Sequence, residues 1–291
     1  MKALRIKLYQ PVANYRPHYS MQVRHSYPLP PPSAVIGLIH RILGMKSGNT
    51  YRDEGETIKG IDVAILGRYG GIGWDYQWLL SPQVKDDRNI LFTSSISPLK
   101  NIKFKQVPGK IQLLIDVGLV LYIRIDFDLY EKETKEEVKR KLNWQNENDA
   151  LEGIKKAFLH PAEIPYLGRA EDLIIVKKVD IVEIIDQKVY ELKNYSAWIP
   201  VNIAKDFDIY GAVYNLPGYY EKKKIKVEGK KIKLKTWWIR DFNFHPCVYA
   251  EPQEIGVDED LQHLKAFWDQ EEKLPVFFIL RSSQNGNMGK K

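Results

Sequence analysis

One cysteine, Cys247, occurs in 291 residues, so no internal disulfide can form and paired thiolate motifs of the C-x-x-C kind are excluded. Histidine is scarce too, and none of the six is preceded by lysine. No apolar run approaches the ~18 residues of a membrane span. The opening MKALRIKLYQ intersperses charges where a secretory signal would carry an apolar stretch, which points to a soluble protein in a reducing cytoplasm. The glycines of YGGIGWDYQW, residues 69–78, do not form a G-x-G-x-x-G before a helix, so a dinucleotide site is not supported. His245 stands near Cys247, but no second pair of ligands has suitable spacing; neither a metal nor a cofactor is expected.

What is present is enough apolar and aromatic residue, 44% and 12%, to build real cores, which argues against global disorder. The net charge of +7 is concentrated. Residues 221–235, EKKKIKVEGKKIKLK, set eight lysines against Glu221 and Glu228, and so hold six of the seven net positive charges. A local basic patch, with Lys222, Lys223, Lys224, Lys230 and Lys231 at its centre, suits a polyanion; a lysine-rich hairpin protecting a sheet edge is the alternative.

Periodicity orders the chain. Leu4, Ile6 and Leu8 alternate with Arg5, Lys7 and Tyr9, a strand with one buried face and one basic, aromatic face. Ser33 is a plausible N-cap for a helix on which Val35, Leu38, Ile39, Ile42 and Leu43 follow helical spacing until Gly44. Gly37 within it costs ~1 kcal/mol relative to alanine, so a close approach of backbone to sheet is expected there. Residues 61–68 read as a strand, 83–110 as a projecting hairpin with a Pro108-Gly109 turn, and 111–125 as a strand with apolar side chains at every odd position. Residues 131–141 read as a solvated helix or linker, 147–159 as an amphipathic helix, and 174–185 as a further strand.

Strand, helix, strand, strand, helix, strand is the βαββαβ ferredoxin-like pattern shared by RNA-recognition modules: an α+β fold with helices on one sheet face and the other face available. Residues 1–188 are expected to form that domain, and 189–291 a smaller β-rich one carrying the lysine hairpin and a loose tail.

Two stretches carry candidate chemistry. In YRPHYSMQVRHSYPLPPP, residues 15–32, prolines stiffen the approach to the first helix; Arg16 and Arg24 could grip phosphates, and Tyr15, Tyr19 and Tyr27 offer faces for base stacking. A rigid loop whose aromatics only cover the core fits the same residues. In YLGRAED, Gly168 permits an unusual backbone conformation and Arg169 adds a charge beside it, while pairing of Arg169 with Glu171 or Asp172 would be the plainer account.

SYPLPPPSAVIGLIHRILG, residues 26–44, together with PYLGRAEDL, residues 165–173, resembles the Cas-five family, the RAMP-type subunit of type I CRISPR Cascade complexes, most closely types I-B and I-A. The resemblance covers roughly residues 1–185. It implies a non-catalytic antiviral subunit that grips the 5′ handle of CRISPR RNA and caps the backbone. The handle surface would comprise Arg5, Lys7, Tyr9, Arg16, Tyr19, Arg24, His25, Tyr27, Gly168 and Arg169. It also implies a thumb at about 83–112, with Arg88, Lys100, Lys103, Phe104 and Lys105 facing the neighbouring backbone subunit and the guide. Expected partners are CRISPR RNA, the backbone and large subunits and, as a further candidate, target DNA, with no membrane. Some relatives cleave the repeat by metal-independent acid–base chemistry, for which His18, His25 and Tyr27 are the right residue types. Those relatives carry a Lys-His pair that this sequence lacks.

Overall fold

The computed structural model describes residues 1–18, 20, 23–46, 55–83, 103–187, 191–192, 194–229, 232–254 and 266–279. The first half runs β1 (Lys2–Ala13), β2 (Val23–Arg24), α1 (Pro32–Ile42), β3 (Ile61–Arg68), β4 (Gly71–Gln83), β5 (Lys103–Ile125), α2 (Phe127–Glu133), α3 (Glu136–Leu142), α4 (Glu147–Leu159) and β6 (Ile175–Gln187). The second half contributes β7 (Glu191–Leu192), β8 (Ser196–Pro200), α5 (Val201–Asp206), β9 (Ala212–Gly229), β10 (Ile232–Ala250), β11 (Gln253–Glu254), β12 (Ala266–Asp269) and β13 (Leu274–Val276).

The order across the main sheet is β13-β12-β6-β1-β5-β3-β8-β10-β9. β1 lies antiparallel between β5 and β6, and β3 lies antiparallel on the far side of β5. The residues after 189 extend the same sheet at both edges, since β8 pairs with β3 and β12 with β6. The strand and helix runs read from periodicity all appear, within a mixed α/β fold built on a large antiparallel sheet.

One face of the sheet is covered by α1 and α4. Val35, Leu38, Ile39 and Ile42 of α1 and Leu151, Ile154 and Phe158 of α4 pack with Leu4, Ile6 and Leu8 in the first core. Full burial of such side chains contributes about 1.5–3 kcal/mol each. α1 begins at Pro32, whose missing N–H is one of the donors a helix start leaves unpaired anyway; Pro31 is its N-cap, so the cap expected at Ser33 falls two residues too late. Gly37 is exposed, and a Cβ built there meets nothing within 4 Å. The close approach expected of it is absent.

The opposite face is not available, contrary to expectation. Ala3, Ala64, Leu66, Val120 and Tyr122 of the central strands form a second core with Ala204 and Phe207 of the α5 region and with Phe277 and Phe278. The burial of β3, seven of its eight residues, shows the consequence: its strand is covered from both sides. The apolar parity of 111–125 also changes side. At Asp116 φ is +56°, and just before it Leu114 joins Val117 and Leu119 in the first core while Ile115 is 42% exposed.

Candidate nucleic-acid interface

The loop after β1 is built by its own polar residues. Arg16 donates through Nε and Nη2 to the Ser20 carbonyl at 3.1 and 2.7 Å. The Ser20 hydroxyl accepts from the His25 amide at 2.9 Å. Asn14 Nδ2 donates to the Gln112 carbonyl at 2.7 Å, and the Gln112 side chain accepts from the Ser26 amide at 3.0 Å. The chain then returns as β2 beside β5, with Val23 opposite Lys110 and Arg24 opposite Ile111.

The 165–173 turn docks against this loop. The Asp172 carboxylate, fully buried, accepts from the Asn14 amide at 2.9 Å and the Arg169 amide at 2.8 Å, and takes the Arg169 guanidinium at 2.6 Å. Gly168 has φ +109°, and a Cβ there would stand 2.7 Å from Asp172 Oδ2 and 2.8 Å from the Asn14 carbonyl, so the turn requires glycine. Gln10 adds a second clamp, its Nε2 donating to the carbonyls of Leu167 and Asp172 at 2.9 Å each.

This docking brings Arg16, Arg24 and Arg169 together. Burial, then Arg16 and Arg169, lower the Arg24 pKa, with Glu171 acting against them. Arg24 Nε is buried without a hydrogen-bond partner, and among the described residues its guanidinium has no carboxylate. Burial also disfavours the Arg169 charge, but the Asp172 carboxylate outweighs it and the pKa is raised. Arg169 therefore realises the plainer pairing, with Asp172 and with Glu171 at 3.1 Å, while remaining beside Arg24. The arrangement offers an anion one partly buried cation lacking a counter-ion and two flanking ones.

Other expected residues lie elsewhere. Arg5 is 1% exposed and bound to Asp269, Asp180 and Glu271, so it cannot meet RNA; β12 and the turn after it cover it. Lys7 is half-buried and paired with Glu272 at 2.6 Å. Tyr9 stays partly exposed at the open end of that strand, its hydroxyl held by Asp116, which raises its pKa, with Lys177 over its ring at 5.3 Å. Tyr15 and Tyr27, offered as stacking faces, are 2% and 1% exposed. Tyr27 packs edge-on against Trp198 and Tyr214, and Trp198 Nε1 donates to the Pro30 carbonyl at 3.0 Å. The proline-rich segment is thus anchored in the core, whose apolar demand outweighs solvent exposure for these rings. His18 lies against Phe244 and His25 against Trp74, with centroids 4.9 and 5.8 Å apart.

Tyr19, Arg88, Lys100, Lys230 and Lys231 lie outside the described residues. Lys103, Phe104 and Lys105 begin β5, and Lys222, Lys223 and Lys224 lie on β9 opposite Arg240, Ile239 and Trp238 of β10. The hairpin expected at 83–112 is formed by β4 and β5, paired from Gly71↔Ile115 to Gln83↔Lys103. It starts earlier than expected, since 71–78 is strand and not only a glycine-aromatic loop.

Residues 3–114, which span β1, the arginine-bearing loop, α1 and the hairpin, match the profile of the family described as CRISPR-associated protein (Cas_Cas5). The match spans well under half of the chain, and over that span the chain is similar to Cas5 proteins. The Cas5 match contains Arg16 and Arg24 and stops before Gly168 and Arg169. No curated protein sequence matches the chain. Solved structures similar to it include a chain of a CRISPR RNA-guided surveillance complex, at 13% identity, covering 89% of this chain and 96% of that one, TM-score 0.45. A CRISPR protein from Archaeoglobus fulgidus is 14% identical over 95% and 98%, TM-score 0.34. A chain of the Type III-B Cmr-beta complex bound to cognate target RNA and AMPPnP is 13% identical over 94% and 98%, TM-score 0.37. Among the described residues no helix is long and apolar enough to cross a membrane. No group of three or more His, Cys, Asp and Glu side chains there could hold a metal ion.

Proposed function

We propose that this chain is an RNA-binding subunit of a CRISPR effector complex that holds the 5′ handle of CRISPR RNA at the Arg16–Arg24–Arg169 cluster and caps the complex backbone. The observation that carries the reading is Arg24: a partly buried guanidinium with no carboxylate bound to it among the described residues, flanked by two more cations, is a site for a phosphate supplied from outside. The Cas5 match over the residues that carry Arg24 gives that phosphate a source. The β6-β1-β5-β3 strand order, with α1 and α4 on one face, supports a ferredoxin-like module as its frame. The backbone and large subunits are the protein partners on this reading, with target DNA a further candidate for the lysine-rich β9.

The subunit acts as a grip and not as a nuclease. Metal-independent cleavage needs an acid and a base within reach of one phosphate. Tyr27 is buried, and the His18 and His25 rings pack against different aromatic partners, Phe244 and Trp74. Filter binding of handle-containing RNA should weaken on Arg24→Ala and on Arg169→Ala. Labelled repeat RNA incubated with the protein in EDTA should stay intact. Unchanged affinity in both variants would remove the site assignment, and specific cleavage lost on His25→Ala would replace the grip by an enzyme.

A further inference from the structure

Trp74, Tyr76 and Trp78 alternate along β4 and are 43, 70 and 70% exposed. Side chains at i, i+2 and i+4 of a strand share one face and rise by about 3.4 Å per residue, so neighbouring rings stand about 6.8 Å apart. Stacked nucleotides of one strand rise about 3.4 Å. The gap between two rings therefore matches the thickness of one flat base stacked on both.

The surroundings of the ladder select the occupant. Across β5 its partners are Gln112, Lys110 and Pro108. Lys110 Nζ sits 4.4 Å from the Trp74 ring centre and 5.9 Å from that of Tyr76, and His25 meets Trp74 edge-on. No carboxylate occurs among the residues that β4 and its β5 partners place on this face from Ile72 to Trp78; Asp75 shares the other face with Ile111 and Arg24. An apolar protein surface closing over the rings would bury Lys110 without a counter-ion, at a large desolvation penalty. A single-stranded nucleic acid supplies both what the rings and what the lysine lack: π-faces and phosphates.

We propose that the Trp74–Tyr76–Trp78 ladder with Lys110 is a base-stacking platform for single-stranded RNA, taking one base between each pair of rings while Lys110 turns to a phosphate. The proposal rests on the RNA-binding reading above, but its surface lies on the opposite face of the hairpin from Arg24 and makes no use of the handle sequence.

The test titrates the full chain with a short oligouridylate carrying one fluorescent base analogue, reading analogue and tryptophan emission together. Both should be quenched on binding. Tyr76→Leu and Trp78→Leu should each weaken affinity about 5- to 150-fold with an unchanged salt slope, because they remove stacking and not charge. Trp78→Phe should restore most of the loss, and Lys110→Gln should lower the slope by about 0.7. Arg24→Ala should leave the quench at saturation unaltered. Full affinity in both leucine variants, or binding without quench, overturns the platform and marks the face as a protein contact. Ladder variants that bind normally while Arg24→Ala loses handle RNA would sink the platform alone. Ladder variants that lose oligouridylate while Arg24→Ala keeps handle RNA would sink the handle reading alone.

Discussion

The Arg5 guanidinium donates to the Asp269 carboxylate at 2.8 Å, across 264 residues of sequence, and each residue is 1% exposed. Tyr122 donates its hydroxyl to the same carboxylate oxygen at 2.8 Å. Burial opposes the Arg5 charge, but Asp269, Glu271 and Asp180 outweigh it and its pKa is raised. The pair ties β12 to the centre of the sheet. Asp180 and Glu271 still face Arg5 when Asp269 is removed, but Arg5 Nη1 and the Tyr122 hydroxyl lose their buried acceptor, so Asp269→Ala should lose about 1–3 kcal/mol in urea denaturation. RNA affinity of the protein that remains folded should be unchanged; a loss of affinity there would return Arg5 to the interface.

The Gly168 turn sets where Arg169 stands. Alanine at φ +109° costs about 1–3 kcal/mol in backbone strain, and its Cβ would also press on Asp172 and the Asn14 carbonyl. Gly168→Ala should therefore lower both the denaturation midpoint and the affinity for handle RNA. Equal stability in the variant would show that the turn adapts and does not position the cluster.

His40 makes stability depend on pH. Its Nε2 accepts from the Ile58 amide at 3.1 Å, which only the neutral ring can do. Burial, helped by nearby Lys59, pushes its pKa from 6.5 down to about 4. Between those values the unfolded chain binds a proton that the folded chain refuses, so stability falls as pH drops through that window, by ~3 kcal/mol at most. The difference in urea midpoint between neutral and acidic buffer should shrink in His40→Gln, whose amide oxygen can accept the same bond.

Gly37 offers the opposite sign. It lies mid-helix in α1, exposed, with nothing near its absent Cβ. Gly37→Ala should raise stability by about 0.5–1 kcal/mol, read from the same denaturation curves. A loss instead would mean that a closely packed neighbour is present at that face in solution.

Local pattern was enough to find the elements. The 147–159 helix emerges with the bounds its apolar spacing gives, capped by Asn146, because spacing and cap are both properties of adjacent residues. What covers a face is not local. Arg5, Lys7 and Tyr9 form one polar row in sequence, yet the first is buried under a strand from the far end of the chain and the last stays partly exposed. Tyr15 and Tyr27 fail as stacking faces for the same reason, since Trp198 and Tyr214, far along the chain, claim the Tyr27 ring. The adjacency of Arg24 and Arg169 depends on a buried carboxylate, Asp172, whose sequence context marks it only as an ion-pair partner. The Trp74–Tyr76–Trp78 ladder did have a signal, aromatics at every second residue, which becomes visible once 71–83 is read as strand.

The central claim is that Arg24 receives an RNA phosphate, and the salt dependence of handle binding measures it most directly. For Arg24→Ala against the unaltered chain, the plot of log affinity against log salt should lose about 0.7 of slope for the one contact removed, with weaker binding at low salt. An identical slope and affinity in the two proteins would contradict the account.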